Sequence, residues 1–105
     1  MSTVETRLHM STKQQSDCVL KTFASLSPHK GAKITLNDRE IEVIMNKCGF
    51  SSREEIIFFL KDHENNGYFE GRCDGEIIEG SITIEGYYYL EEFERKISGT
   101  VTRGG

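Results

Sequence analysis

Ser51-Ser52-Arg53-Glu54-Glu55-Ile56-Ile57-Phe58-Phe59-Leu60-Lys61-Asp62-His63-Glu64-Asn65-Asn66-Gly67-Tyr68-Phe69 opens the stretch that decides the fold, and Ser81-Ile82-Thr83-Ile84-Glu85-Gly86-Tyr87-Tyr88-Tyr89-Leu90 closes it. Ser51-x-x-Glu54 and Ser52-x-x-Glu55 each have the capping-box pattern, so a helix starts here at one of two adjacent residues. Ile56, Ile57, Phe59 and Leu60, with His63 beneath them, form its apolar face. Asn65-Asn66-Gly67 stops it. A strand from Tyr68 to about Cys73 follows, and Asp74-Gly75 signals a hairpin. The return strand begins at Glu76 with an interruption at Gly80, or else begins at Ser81. Thr83 then caps a closing helix, whose 3.6-residue period turns Gly86, Tyr89, Leu90, Phe93 and Ile97 toward the core.

Upstream, two further helices fit the same period. Thr12 with Gln15 reads as a capping box, and Val19, Leu20, Phe23, Ala24 and Leu26 form a stripe. Ser27-Pro28 ends that helix, because the residue before proline is pushed out of the α region. Lys33 to Leu36 reads as a short strand. Asn37 or Asp38 caps the next helix, and Asn37-x-x-Glu40 repeats the capping box. Ile41, Ile44, Met45 and Cys48 make its apolar face, and Gly49 is placed to be its left-handed stop. The expected organisation is a flexible arm over 1–11, one domain over 12–98 and a flexible tail over 99–105.

The totals narrow the function classes. One hundred and five residues with 36% hydrophobic content support one modest core under a well-solvated surface. Cys18, Cys48 and Cys73 are odd in number and lack zinc-ligand spacing, so reduced thiols and a cytoplasmic location are expected. No apolar run approaches a membrane span, which needs roughly 20 residues. His9, His29 and His63 have no serine or cysteine partner in a recognisable motif. Asp74, Glu76 and Glu79 lack calcium-loop spacing. No enzymatic activity, metal or cofactor is expected.

The order helix, short strand, helix, helix, two-stranded wing, helix resembles the winged-helix superfamily. Asn66-Gly67-Tyr68-Phe69 resembles that superfamily's "helix, then Gly-Tyr-Ile" exit from its third helix. Ile82-Thr83-Ile84-Glu85-Gly86-Tyr87-Tyr88-Tyr89-Leu90 resembles the "Leu-Thr-x-x-Gly-x-x-Tyr-Leu" entry into its closing helix, as seen in small bacterial and phage members. The resemblance spans roughly Lys13 to Ile97. It implies an α+β winged helix, with a three-helix core, a small antiparallel wing and a C-terminal helix. It also implies a DNA-binding, transcription-regulator-type protein, with the third helix in the major groove and the wing on phosphate.

The surface residues pull two ways. The third helix (51–67) carries Arg53 and Lys61 against Glu54, Glu55, Asp62 and Glu64. Its outward residues are Glu54, Phe58, Lys61, Asp62 and Asn65. The wing (68–83) carries Arg72 against Glu70, Asp74, Glu76 and Glu79. Both elements repel phosphate, which normally supplies most sequence-independent affinity. Positive charge concentrates instead in the first third, where Arg7, Lys13, Lys21, Lys30 and Lys33 face only Glu5 and Asp17. Candidate contacts to duplex DNA are therefore Lys13, Lys21, Lys30, Lys33, Arg39, Lys47, Arg53, Lys61 and Arg72. Phe58 falls opposite the inward face of its helix. Tyr87-Tyr88-Tyr89 spans about 200° of helix, so the triplet cannot all be buried. Phe58, Tyr87 and Tyr88 thus mark the alternative, a protein-interaction or homodimerisation module on the same scaffold.

Overall fold

The computed structural model describes residues 11–91. Most of the expected arm, all of the tail, Phe93 and Ile97 lie outside the described residues. Among the described residues, four helices and three strands run in the order α1 (Thr12–Leu26), β1 (Ile34–Thr35), α2 (Asp38–Cys48), α3 (Arg53–Asn65), β2 (Phe69–Cys73), β3 (Ile78–Ile82) and α4, described over 84–91. The class is α+β.

Local chemistry fixes the helix ends. Ser11, not Thr12, is the N-cap of α1: its hydroxyl accepts from the Gln14 N–H at 3.1 Å, and the Gln14 side chain accepts from the Ser11 N–H at 2.9 Å. The expected box is therefore displaced by one residue, since Ser11-x-x-Gln14 and Thr12-x-x-Gln15 satisfy the same pattern. Gln15 instead donates to the Cys48 and Gly49 carbonyls, tying α1 to the end of α2. Asn37 and Glu40 form the expected reciprocal cap of α2, and Gly49 ends it with φ 73°. A side chain there would meet the left-handed penalty that glycine avoids. The ambiguity at α3 resolves to Ser52 as N-cap. The Glu55 carboxylate accepts from the N–H groups of both Ser51 and Ser52.

The sheet is antiparallel throughout, with strand order β1-β3-β2. β3 runs unbroken from Ile78 to Ile82, so it matches neither expected start, and Gly80 lies inside it. The reason is steric. Gly80 pairs with Gly71 on β2 and Ile34 on β1, and a Cβ on it would collide with the Phe69 ring and the Glu70 carbonyl. Glycine here permits close approach of strands rather than breaking one. The loop between β2 and β3 closes through the Asp74 N–H to the Ile77 carbonyl at 2.8 Å. The Asp74 carboxylate accepts from Glu76 and Ile77, and these bonds hold its carboxyl below the usual range.

The core gathers one face from every helix and the inner face of the sheet. Val19, Leu20 and Phe23 meet Ile41, Ile44 and Cys48, then Ile56, Phe59 and Leu60, then Phe69, Ile78, Ile82 and Leu90. Phe23 and Phe69 pack edge to face with centroids 5.2 Å apart, and Phe50 stacks on Phe59 at 5.4 Å. Met45 and Ile57, expected on apolar faces, are only partly buried at its margin.

α4 is seated by its first turn. The Thr83 hydroxyl accepts from the Gly86 N–H at 3.0 Å and donates to the Gly67 carbonyl at 2.6 Å, and the Thr83 N–H donates to the Tyr68 carbonyl at 3.0 Å. Gly86 lies so close to that carbonyl and to Ile82 that no Cβ fits. Gly86→Ala should lower stability by about 1–3 kcal/mol through forced displacement of α4. Gly75→Ala, at a position with open space around it, should change stability by less than about 1 kcal/mol. Urea unfolding followed by circular dichroism compares the two.

Candidate functional site

Two kinds of surface were expected from the residues, and each can be located. Of the nine basic DNA candidates, Lys13, Lys30, Lys33 and Arg72 sit against carboxylates. Their partners are Asp17 at 3.2 Å, Glu91 at 3.8 Å, Glu79 at 3.9 Å and Asp74 at 3.5 Å. Apart from Lys13–Asp17, whose carboxylate is buried, these pairs reach solvent and contribute little stability, but all four lower the charge presented to phosphate. Lys21, Arg39, Lys47 and Lys61 are exposed on α1, α2 and α3, while Arg53 is half-buried at the start of α3 with its Nε shielded from solvent. Glu54, Phe58, Lys61, Asp62 and Asn65 form the exposed outer face of α3, as the helical period requires. That face presents two carboxylates and one ammonium.

The wing continues the same sign. Glu70 and Glu76 are exposed beside it, and Glu79 is engaged by Lys33 and by the Thr35 hydroxyl at 3.0 Å. The basic candidates thus lie on α1, the loop after it, α2, α3 and β2.

The aromatic candidates separate into two places. Phe58 is 66% exposed and rests edge-on against Phe59, 5.2 Å between centroids. Tyr88 is 65% exposed on α4 and lines an open recess of about 330 Å³ with Lys30, Gly31, Ile82, Ile84 and Tyr87. Tyr87 is partly buried at the recess wall. Its hydroxyl accepts from the Gly31 N–H at 3.1 Å, and Lys30 Nζ lies 5.5 Å from its ring centroid. Phe58 is not part of this recess lining.

Ile84, which sequence reasoning left unassigned, completes the patch and is 70% exposed. A signal for it was present. Ile84, Tyr87, Tyr88 and Glu91 stand at i, i+3, i+4 and i+7, a second stripe on a helix whose first stripe is Gly86, Tyr89 and Leu90. The inward stripe accounts for the core, and this second one faces solvent.

The third tyrosine belongs to a polar cluster built on buried Asp17. Tyr89 donates a short hydrogen bond to Asp17 and accepts one from Lys13 Nζ at 2.7 Å, while its ring stacks on Tyr68 at 4.7 Å. Asp17 is buried, yet both of its oxygens are engaged by Lys13 and Tyr89. Burial and the Asp17 bond push the Tyr89 phenol above its ordinary value. The hydrogen bonds that Lys13 donates to Tyr89 and Asp17 raise the lysine above its ordinary value. Next to them, His63 is buried with Nε2 2.8 Å from the Ser16 carbonyl and 3.1 Å from its hydroxyl. A protonated Nε2 satisfies that carbonyl, while Nδ1 is buried with no hydrogen-bond partner among the described residues. Its contacts join α3 to α1.

Among the described residues, no three His, Cys, Asp or Glu side chains converge to hold a metal, and no helix is long and apolar enough to cross a membrane.

The sign of the pH response follows from both shifts. The folded state keeps the Tyr89 and Lys13 protons to higher pH than the unfolded chain does. The cluster's stabilisation is therefore complete below the ordinary tyrosine and lysine values and is lost as pH rises through the folded ones. The urea midpoint should fall as pH rises above about 10. Tyr89→Phe should cost about 1–3 kcal/mol at neutral pH, because buried Asp17 loses a donor, and should flatten that alkaline slope. Comparison of the chain with protein-family models, with curated proteins and with solved structures gives no match.

Proposed function

We propose that the chain is a homodimerisation module on a winged-helix scaffold, joined through the Ile84–Tyr88 stripe of α4 and the recess beside it. The observation that carries this reading is the adjacent exposure of Ile84 and Tyr88 over an apolar hollow. An exposed isoleucine and tyrosine side by side on one helix cost hydration free energy that a contact would recover. The winged-helix element is supported by the arrangement of three helices, an antiparallel hairpin and a closing helix, together with the Thr83–Gly86 entry into α4.

A second copy of this chain is the favoured occupant because the patch is self-complementary. Lys30 and Glu91 flank its apolar centre, one of each sign. In a two-fold contact the same surface faces itself, so Lys30 of one copy can exchange its carboxylate for that of the other. The acidic α3 and wing, which would repel a second chain of net charge −4, lie on other elements. The same acids, and the ion-paired lysines of α1 and the loop after it, weaken the DNA-binding reading.

Sedimentation velocity on the full chain at low and physiological salt, with and without mixed duplex DNA, separates the two. A dimer that persists as salt rises and dissociates in Ile84→Asp and Tyr88→Asp supports the module, with no DNA-dependent shift at either salt. A monomer at every concentration defeats it. Binding to DNA at low salt that vanishes with salt and with neutralisation of Lys21, Arg39 and Lys47 would restore the regulator reading.

A further inference from the structure

The three cysteines look unrelated in sequence, yet the fold brings two of them together. Cys18 lies in the middle of α1 and Cys48 ends α2. The Thr22 hydroxyl, one turn along α1 from Cys18, is 3.7 Å from Cys18 Sγ and 3.9 Å from Cys48 Sγ. Cys18 Sγ also donates to the carbonyl of Lys47, the residue just before Cys48, at 3.5 Å. Burial, and then the neighbouring Cys18 thiol, keep the Cys48 thiol protonated far above its ordinary range. Cys18 is half-exposed and Cys48 is buried, whereas Cys73 sits at the end of β2 and belongs to neither helix.

We propose that Cys18 and Cys48 form an oxidisable thiol pair that closes an intramolecular disulfide between α1 and α2 on exposure to a small disulfide. The roles follow from accessibility. Cys18, reachable from solvent, attacks one sulfur of the small disulfide as its thiolate. A mixed disulfide forms at Cys18 and one small thiol leaves. Cys48 then gives up its proton and attacks Cys18 Sγ, and the second small thiol leaves. The sum is one small disulfide and two cysteine thiols converted to one protein disulfide and two small thiols. Thr22 now bridges the sulfurs, which must approach to about 2 Å. Rotation of the Cys18 side chain supplies the motion, since Cys48 is locked in the core.

This pair is independent of the α4 patch, so neither reading depends on the other. The test uses the reduced full chain with oxidised glutathione as the probe, followed by alkylation and peptide mapping without reductant. The expected product is a peptide linking Cys18 to Cys48, lighter by two hydrogens, with alkylatable thiols falling from three to one. Dithiothreitol should reverse it. Cys73→Ser should retain the link and Cys18→Ser should abolish it. Closure from the mixed disulfide should accelerate as pH rises, because buried Cys48 must ionise to attack. Three thiols left free, a glutathione adduct that persists at Cys18 without the link, or a bridge to Cys73 would each overturn the proposal. The mapping is done on the native sequence, so a variant that fails to fold does not obscure the answer.

Discussion

The seam between the exit of α3 and the entry of α4 governs the rest of the molecule. Gly67 and Tyr68 offer their carbonyls to Thr83, one to its hydroxyl and one to its N–H. The same hydroxyl caps α4 through the Gly86 N–H, and Gly86 lets the helix descend onto the Tyr68 backbone. This seam joins chain segments on either side of the hairpin and fixes the rotation of α4 about its axis. Once that rotation is set, Leu90 enters the core and Tyr89 reaches Tyr68 and Asp17. Ile84 and Tyr88 are then left facing outward. The polar cluster around Asp17 and the exposed apolar patch are two sides of one helix orientation.

Much of this was legible because the determining interactions are short-range. The Asn37–Glu40 cap, the Gly49 stop and the Asp74 loop each lie within a few residues of sequence, and pattern reading finds such features. The Ser11 cap shows the limit: two overlapping capping patterns one residue apart differ only in which hydroxyl faces the helix. Gly80 shows another, because a glycine that breaks a strand and one that lets strands approach look alike in sequence. What separates them is the ring of Phe69, eleven residues away. The Asp17–Tyr89 bond and the Cys18–Thr22–Cys48 contact were not legible. They depend on the relative placement of helices distant in sequence, which no local period encodes.

Charge distribution refines the reading of the scaffold. The surplus of basic residues in the first third of the chain is substantially matched by carboxylates that come from elsewhere. Lys30 meets Glu91 on α4 and Lys33 meets Glu79 on β3. A segmental count of charge therefore overstates the positive field available to a polyanion. The fold interleaves the basic third with the acidic remainder and leaves the apolar stripe on α4 as the more distinctive feature of the described surface.

The sheet also bears on how such a molecule could assemble. Its outer strands are β1 and β2. β1 is only two residues long, and β2 sets the exposed side chains of Glu70 and Arg72 along its rim. Brevity on one border and charge on the other are how natural proteins deter strands from adding end on end. Contacts that recruit copy after copy through backbone pairing are disfavoured, so growth into fibres is discouraged. The dimer proposed above instead uses a helical face, which saturates once it has met its counterpart.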